Sequence, residues 1–459
     1  MRKYCIRMIA HVLLLARDVV SVSRQSYPQF ITATVVWSHF FFCLGVFVSQ
    51  ASILMRRRFL SCPDQSPTIL FCLQRLHKQT YFSYMISLML LFGTALIVSM
   101  YLPRAMRVYK LEFHLVCFSS HVYLANAINS MRRIIQQQTV GDHQRARSSL
   151  TTGHRSGLIA RFRRFWRVFF QYGVLLVTVI FAGIFVQVIS FYRITTQLEM
   201  LGFTGGSIAF KLLVQESIKV YVIKRNIKDI RMMCVVVGLP TVLIDTQLRI
   251  ALQRTQVSGL ALWGTILMTF AEICMRTVKV MRIKYEIRHQ AKTMFPAETV
   301  PVVQQFPSQD RLGRKHRDRN PMVQQLRAPT AISLRFERWK HKLLAFHAAE
   351  IYADMSAEYI AIGCSSAILY FYWGHPKYAL ATTLAVPSSV SAQMPLLGIQ
   401  FGTEIVIDYI ASAIEIGGGI DFDEIRKYGL FVACAFIAIT VINIQISAIM
   451  YMRVNSDPN

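Results

Sequence analysis

Charge is scarce in this chain. Asp, Glu, Lys and Arg make up 16% of its 459 residues, against about 25% in an ordinary globular domain. Acidic residues are the scarcer kind, 24 against 51 Lys and Arg, for a net charge of +27. Apolar residues fill the gap, at 54%. This balance excludes a secreted enzyme, a disordered chain and a repeat solenoid. Motifs are scarce as well. The nine cysteines are scattered and form no Cys-x-x-Cys, so neither a zinc site nor a redox pair has support. They read as buried, reduced thiols. No Asn-x-Ser/Thr acceptor occurs. Gly-x-Ser-x-Gly, the P-loop, the dinucleotide fingerprint, a Ser-His-Asp arrangement and the histidine clusters of membrane di-iron enzymes are all missing. No catalytic residue, cofactor or metal is therefore assigned. The basic balance comes without a nucleic-acid recognition motif, and nucleic acid is not an expected partner.

Long apolar runs are abundant. Seven stretches of 18 or more residues contain no Asp, Glu, Lys or Arg: 25–55, 79–103, 113–131, 168–192, 359–376, 378–403 and 428–452. A helix crosses the hydrocarbon of a bilayer with about 20 mainly apolar residues. The fold class is all-α, a polytopic integral membrane helix bundle of about eight to ten transmembrane helices. The partner this demands is the lipid bilayer. Plasma membrane and endomembrane are not distinguished, and neither is the oligomeric state.

Four regions follow from charge and apolarity. Residues 1–29 form a basic N-terminal segment with a short apolar run and no small-residue cleavage site, read as an in-plane amphipathic helix. Residues 30–280 form an N-terminal transmembrane bundle with spans near 30–54, 80–102, 112–131, 168–192, 203–222, 231–252 and 257–279. Residues 281–333 read as a disordered basic loop on the cytoplasmic side. Residues 334–459 form a C-terminal acidic bundle, with a helix over 334–373, a break across 379–397 at Pro387 and Pro395, and spans over 397–417 and 429–452. Residues 1–344 carry 47 basic and 14 acidic residues, whereas 345–459 carry 4 and 10. Basic loops 132–167, 224–228 and 281–340 belong on the cytoplasmic side. The orientation of the first three spans stays open.

The loop 132–167 holds Arg161, Arg163, Arg164 and Arg167 interleaved with Phe162, Phe165 and Trp166. Aromatics in the interface and guanidinium groups on anionic headgroups suit a membrane-surface helix. An ordinary positive-inside loop would have the same composition.

Two acidic constellations stand out. With His347 at zero on a helix of 100° per residue, Glu350 lies at about 300°, Asp354 at about 340° and Glu358 at about 20°. Glu404, Asp408 and Glu415 share an equally narrow stripe, at zero, about 40° and about 20°. A charged group at bilayer depth costs about 2.5–3.5 kcal/mol on insertion scales and normally faces a cavity, a partner or an ion. Two such stripes could line a cation or proton pathway. They could equally pair with Lys211, Arg249 or Arg276 on other helices. Gly398 and Gly402 are spaced either as a close helix-packing face or as part of a binding site beside the break. The expected function is a cation- or proton-linked transporter or channel. The alternative is a non-transporting receptor or scaffold whose basic loops bind anionic lipid or protein.

Overall fold

The computed structural model describes residues 27–149, 158–191, 197–224, 230–254, 258–294, 331–372 and 390–451. Residues 1–26 of the amphipathic segment expected over 1–29, 295–330 of the loop expected over 281–333, and 379–389 of the break expected over 379–397 lie outside them. Apart from isolated bridges at Phe59, the elements of the described residues are helical. In order they are α1 (Tyr27–Leu54), α2 (Ile69–Tyr101), a 3-10 turn (Arg104–Tyr109), α3 (Leu111–Gln138), α4 (Val140–Ser149), α5 (Leu158–Gln171), α6 (Gly173–Phe191) and α7 (Gln197–Lys224). Then come α8 (Ile230–Arg254), α9 (Ser258–Met294), α10 (Ala331–Tyr372), α11 (Val390–Gly417), α12 (Asp423–Arg426) and α13 (Gly429–Tyr451).

Four helices among the described residues are long and apolar enough to cross a membrane: α1, α2, α8 and α13. The pair α5 and α6, bent by 45° at the Gln171–Gly173 junction, makes a fifth if it is one span. The eight to ten expected from sequence exceed the four or five found among the described residues. Helices α7, α9, α10 and α11 run 28 to 42 residues, ample for a 30 Å core at about 1.5 Å per residue. Each carries ionisable residues mid-length, such as Lys211, Arg276, Glu350 and Asp408, which lowers its apolarity.

Helix α8 is the centre. From Val236 to Ala251 every side chain is buried, the mark of a helix wrapped by others. Its widest contact is with α10, and α6, α7 and α13 close around it. In lipid, apolar burial does not itself drive helices together, so close approach and polar contacts must. Gly238 provides the first: a Cβ there would lie 2.6 Å from the Phe436 ring of α13. Three polar clamps provide the second. Gln247 Nε2 donates to Ser447 Oγ, Asn443 Nδ2 to Thr246 Oγ1 and Tyr451 OH to Gln247 Oε1, each at 2.7 Å. Pro240 sits inside α8 without ending it, and Pro395, expected to break its segment, lies inside α11. A proline removes one i to i−4 bond, and a neighbouring helix can tolerate that loss by holding the two halves in line.

Helices α1, α2 and α3 make a second cluster, joined to the first where α13 packs on α1. Gly45 admits Ala438 there, and Gly183 of α6 admits the Phe113 ring of α3. Among the described residues, a Cβ at Gly398 or Gly402 would meet nothing within 4 Å, so no described helix packs closely on either glycine. The α1–α2 connection is tied to the end of α3. Phe59 is fully buried, Leu60 N donates to Gln138 O, and Val140 N donates to Arg58 O. Lys110 stands at the corner before α3 with φ 48°. Burial pushes its ammonium down to about 8, while Glu112 opposes the shift.

Three boundaries extend beyond the apolar signal. Helix α2 begins at Ile69, α3 runs on to Gln138, and α9 continues to Met294, into the stretch read as a loop from 281. Most of the described part of the basic loop 132–167 is helical too.

Candidate functional site

The two acidic stripes face each other's cations across five helices. On α10, Glu350, Asp354 and Glu358 are all buried, as are Glu404, Asp408 and Glu415 on α11. Arg276 of α9 stands between them. Its Nη2 donates to Asp408 Oδ1 at 2.8 Å and to Glu358 Oε2 at 3.3 Å, and its Nη1 lies 3.9 Å from Glu415 Oε1. One turn on, Lys279 Nζ lies 3.4 Å from Glu350 Oε1 and 3.6 Å from Asp354 Oδ2. From α7, Lys211 Nζ donates to Asp245 Oδ2 at 2.8 Å and to Glu358 Oε1 at 3.2 Å, with Asp354 Oδ1 at 3.5 Å. Arg249 of α8 donates from Nη2 to Glu404 Oε2 at 3.3 Å. His347 Nδ1 sits 3.3 Å from Glu350 Oε2. Gln215 Nε2 donates to Asp354 Oδ1 at 3.0 Å and to Thr241 Oγ1 at 2.9 Å.

The helical wheel thus brings together the residues it singled out. All of His347, Glu350, Asp354, Glu358, Glu404, Asp408 and Glu415 belong to one network. The pairing with Lys211, Arg249 and Arg276 is also present. Sequence reasoning missed Lys279, Gln215 and Asp245 as members. The signal for Asp245 was available, since it is a lone acid in an apolar helix.

The network is not balanced. Seven carboxylates (Asp245, Glu350, Asp354, Glu358, Glu404, Asp408 and Glu415) face four fixed cations (Lys211, Arg249, Arg276 and Lys279), leaving three acids in excess among the described residues. Among the described residues, Glu404 Oε1, Asp408 Oδ2 and both oxygens of Glu415 accept no hydrogen bond. A buried carboxylate is normally paired or protonated, because desolvation strongly disfavours the bare ion. Among the described residues no group of three or more His, Cys, Asp or Glu is arranged to hold a metal ion.

The second predicted patch lies on α5. Arg161, Arg163, Arg164 and Arg167 are all exposed. Phe165, Trp166 and Phe169 turn inward and pack on one another and on the α1–α3 cluster. Phe162 and Phe170 point out, 63% and 66% exposed, beside the arginines. His121 Nε2 of α3 and Phe169 O are 3.1 Å apart, and Arg132 donates to Gln171 Oε1 at 3.2 Å. These contacts hold α5 at its bend.

Helical architecture and apolar spans define an integral, multi-pass membrane protein whose bundle encloses a buried ionic network. No family model, curated protein or solved structure matches the chain.

Proposed function

We propose that the protein moves protons or a small inorganic cation across the membrane, using the carboxylates shared by α10 and α11. One observation carries this reading: among the described residues, seven buried carboxylates face four fixed cations. A purely architectural network would be expected to close on neutral charge, since each uncompensated buried ion is costly. Three acids beyond neutrality call for exchangeable positive charge, either protons or a cation. Glu404, Asp408 and Glu415, with their unpartnered oxygens, are the groups to receive it. Glu358 is their relay to α7 and α9, because it contacts both Lys211 and Arg276. Intramembrane acids of this kind mark ion pathways and proton relays. The exposed arginines of α5 would hold anionic headgroups and fix the helix at the membrane surface.

The test is flux in liposomes containing purified protein, wild type beside Glu404→Gln/Asp408→Asn. A flux that the double variant loses at unchanged folding supports the pathway. A receptor or scaffold is the second reading, favoured by the outward basic and aromatic face of α5. Silence across Na⁺, K⁺, H⁺ and Ca²⁺ gradients, with wild-type protein correctly folded, overturns transport and selects it.

A further inference from the structure

A cavity of about 130 Å³ lies between α1, α3, α6, α8 and α13, apart from the carboxylates. Phe113, Leu239 and Ile439 are typical of its walls. The close approaches at Gly45 and Gly183 set its width, since Ala438 and Phe113 both line it. Five polar residues line it: Ser38, Ser49, Gln50, Ser120 and His121. Ser38 donates to Thr34 O and Ser49 to Gly45 O, Ser120 Oγ is engaged by the His39 ring at 3.4 Å, and His121 Nε2 lies 3.1 Å from Phe169 O. Gln50 is only 6% exposed, yet among the described residues its Oε1 has no hydrogen-bond partner.

A buried carbonyl acceptor normally finds a donor. A water held there would need two to four polar partners, and these largely apolar walls suit it poorly. An apolar cavity of ~150 Å³ accommodates a benzene ring, so the space here fits a body of about one ring. We infer that this cavity binds a small apolar alcohol, of the size of a single-ring phenol, whose hydroxyl donates to Gln50 Oε1. The site does not depend on the ion pathway. Helix α8 contributes Val235 and Leu239 to the cavity and Asp245 and Arg249 to the ionic network.

The full chain in lipid nanodiscs tests this with two probes, 4-ethylphenol and ethylbenzene, read by the shift in thermal unfolding midpoint. Wild-type protein should be stabilised by 4-ethylphenol, with an apparent affinity about tenfold above that of ethylbenzene, the order expected for one hydrogen bond. Gln50→Leu should keep a response to both probes and lose the preference. Ala435→Leu, which narrows the cavity from α13, should lose both responses. Non-specific partitioning into lipid would act alike on wild type and variants. No response to either probe, equal responses in wild type, or a preference that survives in Gln50→Leu would each overturn the site. If Gln50→Leu fails to fold, Gln50→Met, also without an amide acceptor, takes its place and should likewise lose the preference.

Discussion

Arg276 contacts three carboxylates from two different helices, as Lys211 does, so its loss strands several buried charges at once. Arg276→Gln should destabilise the protein by about 3–5 kcal/mol, the range for removing one partner of a buried ion pair. Denaturation in a mild detergent would measure it, and a loss below about 1 kcal/mol would contradict the pairing. Arg276→Lys should recover only part, because one ammonium replaces two guanidinium nitrogens, Nη2 toward Asp408 and Glu358 and Nη1 toward Glu415. Glu415→Gln should behave oppositely. Its two oxygens accept no hydrogen bond, so neutralising it removes one of the excess charges and should leave stability unchanged or higher. At this scale much of the site was legible. A helix of 100° per residue puts His347, Glu350, Asp354 and Glu358 on one face from their spacing alone. Lys279 was not legible, because it adjoins a run of basic residues and resembles the start of a loop. Asp245 was visible as an acid, but its partner Lys211 lies 34 residues away, and no local pattern links them.

Between elements, glycine decides which helices approach. Gly45→Ala would put a methyl group against both Cβ and Cα of Ala438. Overpacking of that kind costs about 1–3 kcal/mol, against about 1 kcal/mol gained in helix propensity. The expected result is a net loss of stability, or separation of α1 from α13. Gly398→Ala and Gly402→Ala meet nothing within 4 Å and should be neutral or stabilising by up to about 1 kcal/mol. Parallel thermal melts of the three variants would separate these outcomes. Helix α5 makes its own prediction. Replacing Arg161, Arg163, Arg164 and Arg167 with Gln should abolish any stabilisation by anionic over zwitterionic lipid, about 1 kcal/mol per arginine at most. The wild-type effect should fade as salt is raised. Insensitivity of the wild type to lipid charge would sink the headgroup assignment. Spans free of charge announced α1, α2, α6 and α13. The polar extensions of α3 and α9 did not announce themselves, because a helix that leaves the apolar layer keeps its backbone pattern while losing its apolar one.

Across the whole molecule, the basic excess before residue 345 and the acidic excess after it meet in one ionic layer. Cations come from α7, α8 and α9, and most of the acids come from α10 and α11. The two halves were visible in the sequence as a change in the sign of charge. Their meeting was not visible, since it requires packing between helices more than a hundred residues apart, as Lys211 and Glu358 are. Deleting residues 300–328 removes none of this network, and flux in liposomes should survive the deletion. A loss of flux with folding intact would place part of the transport machinery in that segment.

Helices α9 and α10, of 37 and 42 residues, are about 55 and 63 Å long at 1.5 Å per residue, nearly twice the hydrocarbon thickness. Their ion pairs join residues 276 and 279 to residues 350, 354 and 358, so the two run antiparallel and their free ends, near Met294 and Ala331, leave on the same side. Each is a lever with its pivot at the salt bridges. With an arm of about 25 Å, a tilt of ~5° sweeps the tip through ~2 Å. Any tilt about the salt bridges would therefore be magnified at the helix ends near Met294 and Ala331.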